Sequence, residues 1–192
     1  MHKLIFATNN NHKISEMRSV LGDAFELVTL TEAGIEIDIP EPYNTLEENA
    51  TEKARVIYSM TGTDCFSEDT GLEVEALNGA PGVRSARYSG GRDFGENINK
   101  LLSKLDGIQN RTAQFRAVLA LILDGKEYQF EGICKGTILA YQQGEGGFGY
   151  DPVFMPDSSQ KTFAEMDITE KNIYSHRRIA ADKLVLFLKE RL

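Results

Sequence analysis

The adjacent carboxylates Glu68 and Asp69 are the residues of this chain best suited to acid–base or metal chemistry. They follow the apolar pair Cys65-Phe66 and stand shortly before Gly71, which predicts that they lie at the end of a strand. Carboxylates at a strand end beside a glycine commonly hold a divalent cation in a cleft. An acidic pair on its own is more typical of a solvent-exposed turn, so other motifs must decide between the two interpretations.

A second polar segment, Thr8-Asn9-Asn10-Asn11-His12-Lys13, stands between an apolar strand pattern and a helical pattern. Backbone N–H groups at such a helix start form a ready anion site, and Lys13 adds a positive charge. The glycines of a Walker sequence are missing here. An Asn-rich turn is also a common helix cap, so phosphate binding and capping both remain open.

Glu41 and Lys53 stand on either side of the point where a helical pattern begins, at Leu46. Lys53 comes one heptad after Leu46 and is therefore predicted to lie close to the buried stripe of that helix. The commoner reason for such a lysine is that its aliphatic stem covers the edge of the core. The functional alternative is a phosphate ligand that reaches into a cleft.

The segment at residues 146–152 has glycines on both sides of Phe148. Glycines let a backbone approach a ligand closely, and an aromatic ring can stack on a planar group. A flexible loop with one aromatic ring anchored in the core fits the same pattern equally well.

Positive charges gather where the last predicted helix begins. Ser175 is a good N-cap residue, yet it is followed by His176, Arg177 and Arg178, with Lys171 shortly before it. Cations in a first helical turn cost up to ~1 kcal/mol each, because the macrodipole is positive there. Such a segment either exposes these side chains or places them in front of an anionic or polar ligand.

The elements that must position these residues alternate between strand and helix early in the chain, with a hairpin in the middle. Apolar residues at both parities from Phe115 to Leu123 predict a central strand, and Asp124-Gly125 predicts a hairpin turn. The other predicted strands lie at 4–7, 25–30 and 128–130, and one more ends at Leu139-Ala140-Tyr141. Four helices are also predicted. The first has Ile14, Met17 and Leu21 inward, the second begins with Thr45 and Glu48 as a capping box, the third begins at Asp93, and the fourth begins at about Ser175 with Ile179, Leu184, Val185 and Leu188 buried. This order predicts an α/β protein with a mixed, twisted central sheet flanked by helices.

Length and composition narrow the class of protein. A chain of 192 residues fits one domain, and 41% hydrophobic residues suffice for a buried core. The net charge of −8 argues against a nucleic-acid surface, since binding the phosphate backbone requires clustered Lys and Arg. The apolar run at residues 4–7 is too short for a signal peptide or a membrane span. Cys65 and Cys134 lack metal-site spacing and are predicted to be buried thiols of a cytoplasmic protein.

Taken together, these motifs resemble the inosine triphosphate pyrophosphatase family, also called dITP/XTP or non-canonical purine NTP pyrophosphatases. The matching segments occur in the family's order and cover nearly the whole chain: Phe6-Ala7-Thr8-Asn9-Asn10 with Lys13, Thr45-Leu46-Glu47-Glu48-Asn49-Ala50 with Lys53-Ala54, Glu68-Asp69-Thr70-Gly71-Leu72, Gly79-Ala80-Pro81-Gly82 with Ser85-Ala86-Arg87-Tyr88, Gly147-Phe148-Gly149-Tyr150-Asp151-Pro152, and Ser175-His176-Arg177. Many relatives carry Asp where this chain has Glu68 and Ser where it has Thr70, and both changes keep the chemistry.

The resemblance implies hydrolysis of dITP, ITP and XTP to the nucleoside monophosphate and pyrophosphate, with Mg²⁺ as cofactor. Asp69 would be the general base, Glu41 and Asp69 the metal ligands, and Glu68 a supporting acid. The implied substrate-binding residues are Thr8, Asn9, Asn10, Asn11, His12, Lys13, Lys53, Thr70, Phe148, Gly149, Tyr150, Asp151, Lys171, His176 and Arg177. Among these, the three lysines would hold the triphosphate, Phe148 would stack on the base, and Asp151, His176 and Arg177 would read its edge.

The resemblance also implies a single pyrophosphatase domain over residues 1–192, with two lobes and a cleft between them. It further implies a homodimer in the cytoplasm, a small-molecule substrate, and no nucleic-acid or membrane partner. The cellular role would be to keep deaminated purines out of the nucleotide pool.

Two other functions compete with this one. Maf-type enzymes are related pyrophosphatases that take modified pyrimidines, and the Phe148 segment and the Ser175-His176-Arg177 motif argue against that choice. A nucleotide-binding sensor without turnover belongs to a different class. Such a sensor has no need for the paired acids Glu41 and Asp69 close to phosphates.

Overall fold

Helices and strands follow each other along residues 2–21 and 25–191, which the computed structural model describes. The strands are β1 (Lys3–Phe6), β2 (Glu26–Thr29), β3 (Cys65–Val74), β4 (Pro81–Gly82), β5 (Thr112–Leu123), β6 (Lys126–Ile138) and β7 (Phe154–Pro156). The helices are α1 (Asn11–Leu21), α2 (Leu46–Thr61), α3 (Phe94–Lys104), α4 (Ile168–Tyr174) and α5 (His176–Lys189). Among the helices of the described segments, none combines the length and the apolar character that crossing a membrane requires.

Within the described residues, the strands form one mixed sheet in the order β2-β1-β3-β5-β6-β7, and β4 pairs with β3. Strand β1 runs parallel to β2 and β3, whereas β4 is antiparallel to β3, and β7 is antiparallel to β6. The predicted hairpin turn is confirmed, since Asp124 and Gly125 have φ values of 50° and 74°, as in a type I′ turn. The chain is therefore an α/β protein with a mixed sheet flanked by helices, as the sequence predicts.

The chain divides into two compact units. The first consists of Met1–Asp69, Ala117–Gly132 and Arg177–Leu192, and the second of Thr70–Arg116 and Ile133–His176. Each unit has its own apolar core. In the first core, residues of β1, β3 and β5 pack with α1 and α5. In the second core, residues of α3 pack with β3, β5, β6 and β7.

Helices cover both faces of β3 in the first unit. The side chains of Cys65 and Ser67 donate hydrogen bonds to backbone carbonyl oxygens of α2. Phe66 lies instead in the core shared with α1 and α5. Because successive side chains of a strand point to opposite faces, Glu68 belongs to the α1/α5 side and Asp69 to the α2 side.

The prediction that Glu68 and Asp69 end a strand is wrong, because β3 continues through both of them to Val74. Each acid has basic partners within the first unit, and this pairing makes buried charge compatible with a strand interior. Gly71 then lets the strand continue past a close neighbour. A Cβ atom at Gly71 would lie 2.6 Å from the carbonyl oxygen of Gly82 on β4.

We expect Gly71→Ala to lower the free energy of unfolding by about 1–3 kcal/mol, the usual cost of overpacking. The added methyl group would contact backbone, which can only yield if β4 moves. Gly91→Ala is the control, since a Cβ at Gly91 meets no atom within 4 Å, and we expect an effect within about 0.5 kcal/mol. Urea denaturation measures both variants, and equal stability would show that β4 moves without cost.

Three details of the second half of the chain differ from the prediction. Strand β6 ends at Ile138, so the predicted strand end at Leu139-Ala140-Tyr141 lies in a loop. Helix α4 is not among the predicted elements, because its seven residues are too few for the helical period to be recognised in the sequence. In α5, Ile179 is 38% exposed and not buried as predicted, whereas Ala180 and Ala181 lie in the core.

Candidate active site

Lys53 lies at the centre of a cluster of acidic groups in the first unit. It is 6% exposed, in agreement with its heptad spacing from the buried stripe of α2. Its Nζ donates to Glu41 Oε1 at 2.5 Å and to the Glu68 carbonyl oxygen at 2.8 Å, and it lies 3.6 Å from Asp69 Oδ1. One ammonium group therefore contacts both acids that the family resemblance implies as metal ligands.

Asp69 is a buried carboxylate in an environment that makes it a better base. Burial raises the pKa of its carboxyl group above the ordinary value. The charges of Lys53 and Lys13 oppose this rise, the charge of Glu41 adds to it, and a hydrogen bond with the Asn49 side chain lowers it. A carboxyl group whose pKa is moved toward neutral pH is suited to take a proton from water.

Glu41 and Asp69 form a donor set that fits Mg²⁺. This ion is usually bound by one or two protein carboxylates, with substrate phosphates and water as the other ligands. Both acids lie within 4 Å of the same positive charge, Lys53 Nζ, so this place already favours a cation. Among the residues that the structure describes, no group of three or more His, Cys, Asp or Glu side chains is arranged for a metal. Two carboxylates leave coordination positions for phosphate oxygens and water, so the pair suits an ion that completes its coordination with a substrate.

Arg177 joins two acids on the α1/α5 side of β3. Its Nε and Nη2 donate to the two carboxylate oxygens of Glu68 at 2.6 and 2.7 Å, and its Nη1 donates to Glu16 on α1. Lys13 Nζ lies 3.4 Å from Glu68 Oε1. Burial works to lower the pKa of the guanidinium, but the charges of the two acids outweigh it and raise the pKa. Arg177, 2% exposed, is thus a buried cation balanced by two acids.

The two neighbouring acids of β3 consequently have separate surroundings. Glu68 binds Arg177 and Lys13, whereas Asp69 lies beside Lys53, and the role of Glu68 as a supporting acid stays a prediction. All three nitrogen atoms of the Arg177 guanidinium donate to carboxylates. The geometry therefore favours a structural role for Arg177, and its reading of the base stays a prediction.

The predicted phosphate cradle is the turn before α1. The Asn10 side chain accepts hydrogen bonds from the backbone N–H groups of His12 and Lys13 at 3.0 and 3.2 Å. The capping interpretation is therefore correct for these two amides, and phosphate binding by the turn stays a prediction. A cavity of about 330 Å³ next to the turn is lined in part by Thr8, Asn9 and Asn11.

In the second unit, the structure brings together Phe148, Asp151 and Lys171. Asp151 Oδ2 accepts from Lys171 Nζ at 2.7 Å and from the backbone N–H of Phe148 at 2.9 Å. Lys171 Nζ also lies 5.1 Å from the centroid of the Phe148 ring. Glycine suits the preceding position, because Gly147 has a φ of 71° and a Cβ there would collide with the Asp151 side chain. The arrangement holds a half-exposed aromatic ring in a defined place.

The remaining predicted residues of the second unit are His176, Tyr150, Thr70 and Gly149. The His176 ring stacks on Phe115 at a centroid distance of 4.9 Å and is buried. Tyr150 is buried, and its hydroxyl donates to a backbone carbonyl oxygen of the same unit. Thr70 is half-buried on β3, and Gly149 has a φ of 61°. Substrate contacts by these four residues stay predictions.

Sequence reasoning missed Glu16 and Asn49, which contact Arg177 and Asp69 respectively. Glu16 precedes the inward-facing Met17, so an acid beside the buried stripe of α1 was a usable signal. Asn49 lies between Glu48 of the capping box and the buried Ala50, and its type alone gives no such signal.

Known proteins resemble this chain over nearly its full length. A model of the Ham1 family matches residues 4–187. The dITP/XTP pyrophosphatase of Porphyromonas gingivalis is 50% identical over 190 residues, which cover 98% of each chain. That of Flavobacterium psychrophilum is 47% identical over 188 residues, covering 97% of this chain and 99% of the relative.

Among solved structures, the Ham1 protein of Staphylococcus aureus superposes with a TM-score of 0.89 at 36% sequence identity. The alignment covers 99% of this chain and 100% of that one. The family model and the relatives each span nearly the full length, so the likeness includes both compact units. This chain belongs to the Ham1 family.

Proposed function

We propose that this protein hydrolyses the non-standard purine nucleoside triphosphates dITP, ITP and XTP to the nucleoside monophosphate and pyrophosphate. The observation that carries the proposal is the buried contact of Lys53 with Glu41 and Asp69. Such a cluster combines a proton acceptor with a cation for phosphate charge. Full-length similarity to enzymes named dITP/XTP pyrophosphatase supports the choice of substrates.

Asp69 accepts a proton from the attacking water. The oxygen of that water forms a bond to the α-phosphorus, and the α–β phosphoanhydride bond breaks with pyrophosphate as the leaving group. Lys53 and Lys13 lie near Asp69 and Glu68 and offset the negative charge of the triphosphate. In this assignment the raised pKa of Asp69 is what makes it an effective base near neutral pH.

Glu41 and Asp69 are the residues that would hold Mg²⁺. The bound ion would supply charge neutralisation at the phosphate oxygens. The Lys53 ammonium contacts both carboxylates, so the two acids lie near each other in the first unit. Lys171 is the third predicted phosphate ligand, although its ammonium contacts Asp151 in the second unit.

Recognition of the base is assigned to Phe148 by stacking and to Asp151, His176 and Arg177 at its edge. A donor that pairs with the 6-oxo group of hypoxanthine or xanthine would clash with the 6-amino group of adenine. Sites that use buried hydrogen bonds discriminate by ~10⁴ or more, whereas apolar pockets reach only ~10². The Nε, Nη1 and Nη2 atoms of Arg177 each donate to a carboxylate, so the N–H groups that make these three bonds are not available to the base.

The proposal extends to a homodimer in the cytoplasm, with the whole chain acting as one pyrophosphatase domain. Its task there is to remove deaminated purine nucleotides before a polymerase can use them. Size-exclusion chromatography with light scattering tests the dimer, since a monomeric mass would exclude it.

The experiment that tests the function measures pyrophosphate release from dITP, XTP, dATP and dGTP at equal concentration, with Mg²⁺ and then with excess chelator. We expect release from dITP and XTP to exceed release from the two standard nucleotides by at least ~10²-fold. We expect the chelator to abolish it, because two carboxylates and the lysines alone leave the triphosphate charge poorly balanced.

Equal turnover of all four nucleotides would retain the pyrophosphatase chemistry and contradict base recognition. Tight nucleotide binding without turnover would instead favour a nucleotide sensor.

A further inference from the structure

We propose that Tyr150 and Ser85 position the loop at residues 144–149, here called the Phe148 loop, for binding of the base. This inference deepens the proposed function and rests on it. It also gives a role to the segment Gly79-Ala80-Pro81-Gly82 with Ser85-Ala86-Arg87-Tyr88, whose sequence is distinctive but which contains none of the assigned site residues.

Tyr150 is the buried anchor of the loop. It directly follows Gly149, it is 4% exposed, and its hydroxyl donates to the Ser85 carbonyl oxygen at 2.8 Å. Burial raises the pKa of this hydroxyl, and the nearby Tyr88 acts in the same direction, so the proton that makes the bond stays in place. Since that proton is donated to Ser85, the structure assigns Tyr150 to positioning and not to contact with the nucleotide.

Ser85 is itself fixed to the strand that carries the site. Its Oγ accepts from the backbone N–H of Leu72 at 2.8 Å and donates to the Gly82 carbonyl oxygen at 2.6 Å. Leu72 belongs to β3 and follows Thr70 by two positions. The Ser85 carbonyl oxygen is therefore a firm attachment point, because the residue is held to β3 and β4 by its own side chain.

The other end of the connection is the Phe148 ring. The backbone N–H of Phe148 donates to Asp151 Oδ2 at 2.9 Å, and the backbone N–H of Asp151 donates to the Phe148 carbonyl oxygen at 3.2 Å. Tyr150 lies inside this closed turn. A tie at its hydroxyl therefore limits the positions that the Phe148 ring can take.

The loop requires such a tie because of its composition. Gly144, Gly147 and Gly149 all have positive φ, and glycine loses more conformational freedom on ordering than any other residue. A loop that must be ordered when the ligand binds reduces affinity. A loop that is already held retains that affinity, so the effect of the tie appears in binding of the base and not in the chemical step.

The test compares Tyr150→Phe with Tyr141→Phe, where Tyr141 is 65% exposed. We expect Tyr150→Phe to raise KM for dITP and the Kd for dIMP by about 3- to 10-fold, the usual effect of one lost hydrogen bond. We expect kcat within about twofold and an unchanged Kd for pyrophosphate with Mg²⁺, since only uniform binding of the base is lost. Tyr141→Phe should match the parent in all four quantities.

Ser85→Ala provides a second route, since it loosens the attachment point without touching Tyr150. If the two residues were merely structural, either variant would have a lower melting temperature, but the Kd for dIMP and the Kd for pyrophosphate would change to the same extent. Amide hydrogen exchange of Phe148 and Asp151 in the ligand-free protein should be faster in both variants than in the parent.

A parent enzyme that turns over dITP, with unchanged KM and dIMP affinity in Tyr150→Phe, would overturn the inference alone. A parent that neither turns over dITP nor binds dIMP would overturn the proposed function. In that case the exchange experiment decides the positioning role by itself: faster exchange supports it, and unchanged exchange rejects it.

Discussion

Asp69→Asn is expected to lower kcat for dITP by about 10²- to 10⁴-fold, the contribution typical of a positioned general base. Asparagine keeps the shape of the side chain but cannot accept the proton of the attacking water. Lys53 keeps its contacts with Glu41 and with the Glu68 carbonyl oxygen, so nucleotide binding should survive within about tenfold, given the loss of one metal ligand. Single-turnover kinetics and equilibrium binding of dIMP separate the two effects.

The pH profile of the parent enzyme provides a second readout of Asp69. The base acts only when it is deprotonated, so kcat/KM rises with pH through the pKa of this carboxyl group. Burial raises that pKa in the metal-free protein, whereas bound Mg²⁺ lowers it, so the rise should move to lower pH as the Mg²⁺ concentration increases. The residual activity of Asp69→Asn should lack this rise.

Asp64→Asn is the matched control, because Asp64 belongs to the same unit but binds His2 and the backbone N–H of Asp124. We expect it to change stability and to leave kcat within about twofold, since no reacting group contacts it. A similar fall of kcat in both variants would show that the loss in Asp69→Asn comes from general disturbance of the unit and not from a missing base.

Local patterns in the sequence predicted much of what positions the site. The heptad spacing from Leu46 placed Lys53 on the buried side of α2, and the parity of Phe115 to Leu123 predicted a covered strand. Both predictions succeed because helix and strand periods are decided by neighbouring residues. The role of Asp69 came from the family resemblance, because the spacing of apolar residues carries no information about catalytic function.

Contacts between distant residues could not be predicted in this way. Arg177 and Glu68 are 109 positions apart in the chain, and neither residue type reveals the other. The sequence pattern treated Glu68 and Asp69 as one acidic group at a strand end. Strand geometry instead sends them to opposite faces, where different helices supply their partners.

Arg177→Met is expected to lower the free energy of unfolding by about 3–5 kcal/mol at pH 7, the cost of leaving buried charges without a partner. Methionine is about as long as the aliphatic part of arginine, so the substitution retains packing but removes the cation between Glu68 and Glu16. Arg178→Met is the adjacent control, because Arg178 forms a more exposed helical ion pair with Asp182. We expect that control to lose about 0.5 kcal/mol or less. Urea denaturation at 25 °C measures both.

The cause of this loss is tested by removing the acids as well. Uncompensated carboxylates, and not lost packing, should account for most of the cost, because replacing a whole buried ionic cluster with apolar residues is often neutral. The triple variant Arg177→Met, Glu68→Leu, Glu16→Leu should therefore be more stable than Arg177→Met alone. A triple variant as unstable as the single one would mean that the Arg177 hydrogen bonds themselves hold α1 and α5 to β3.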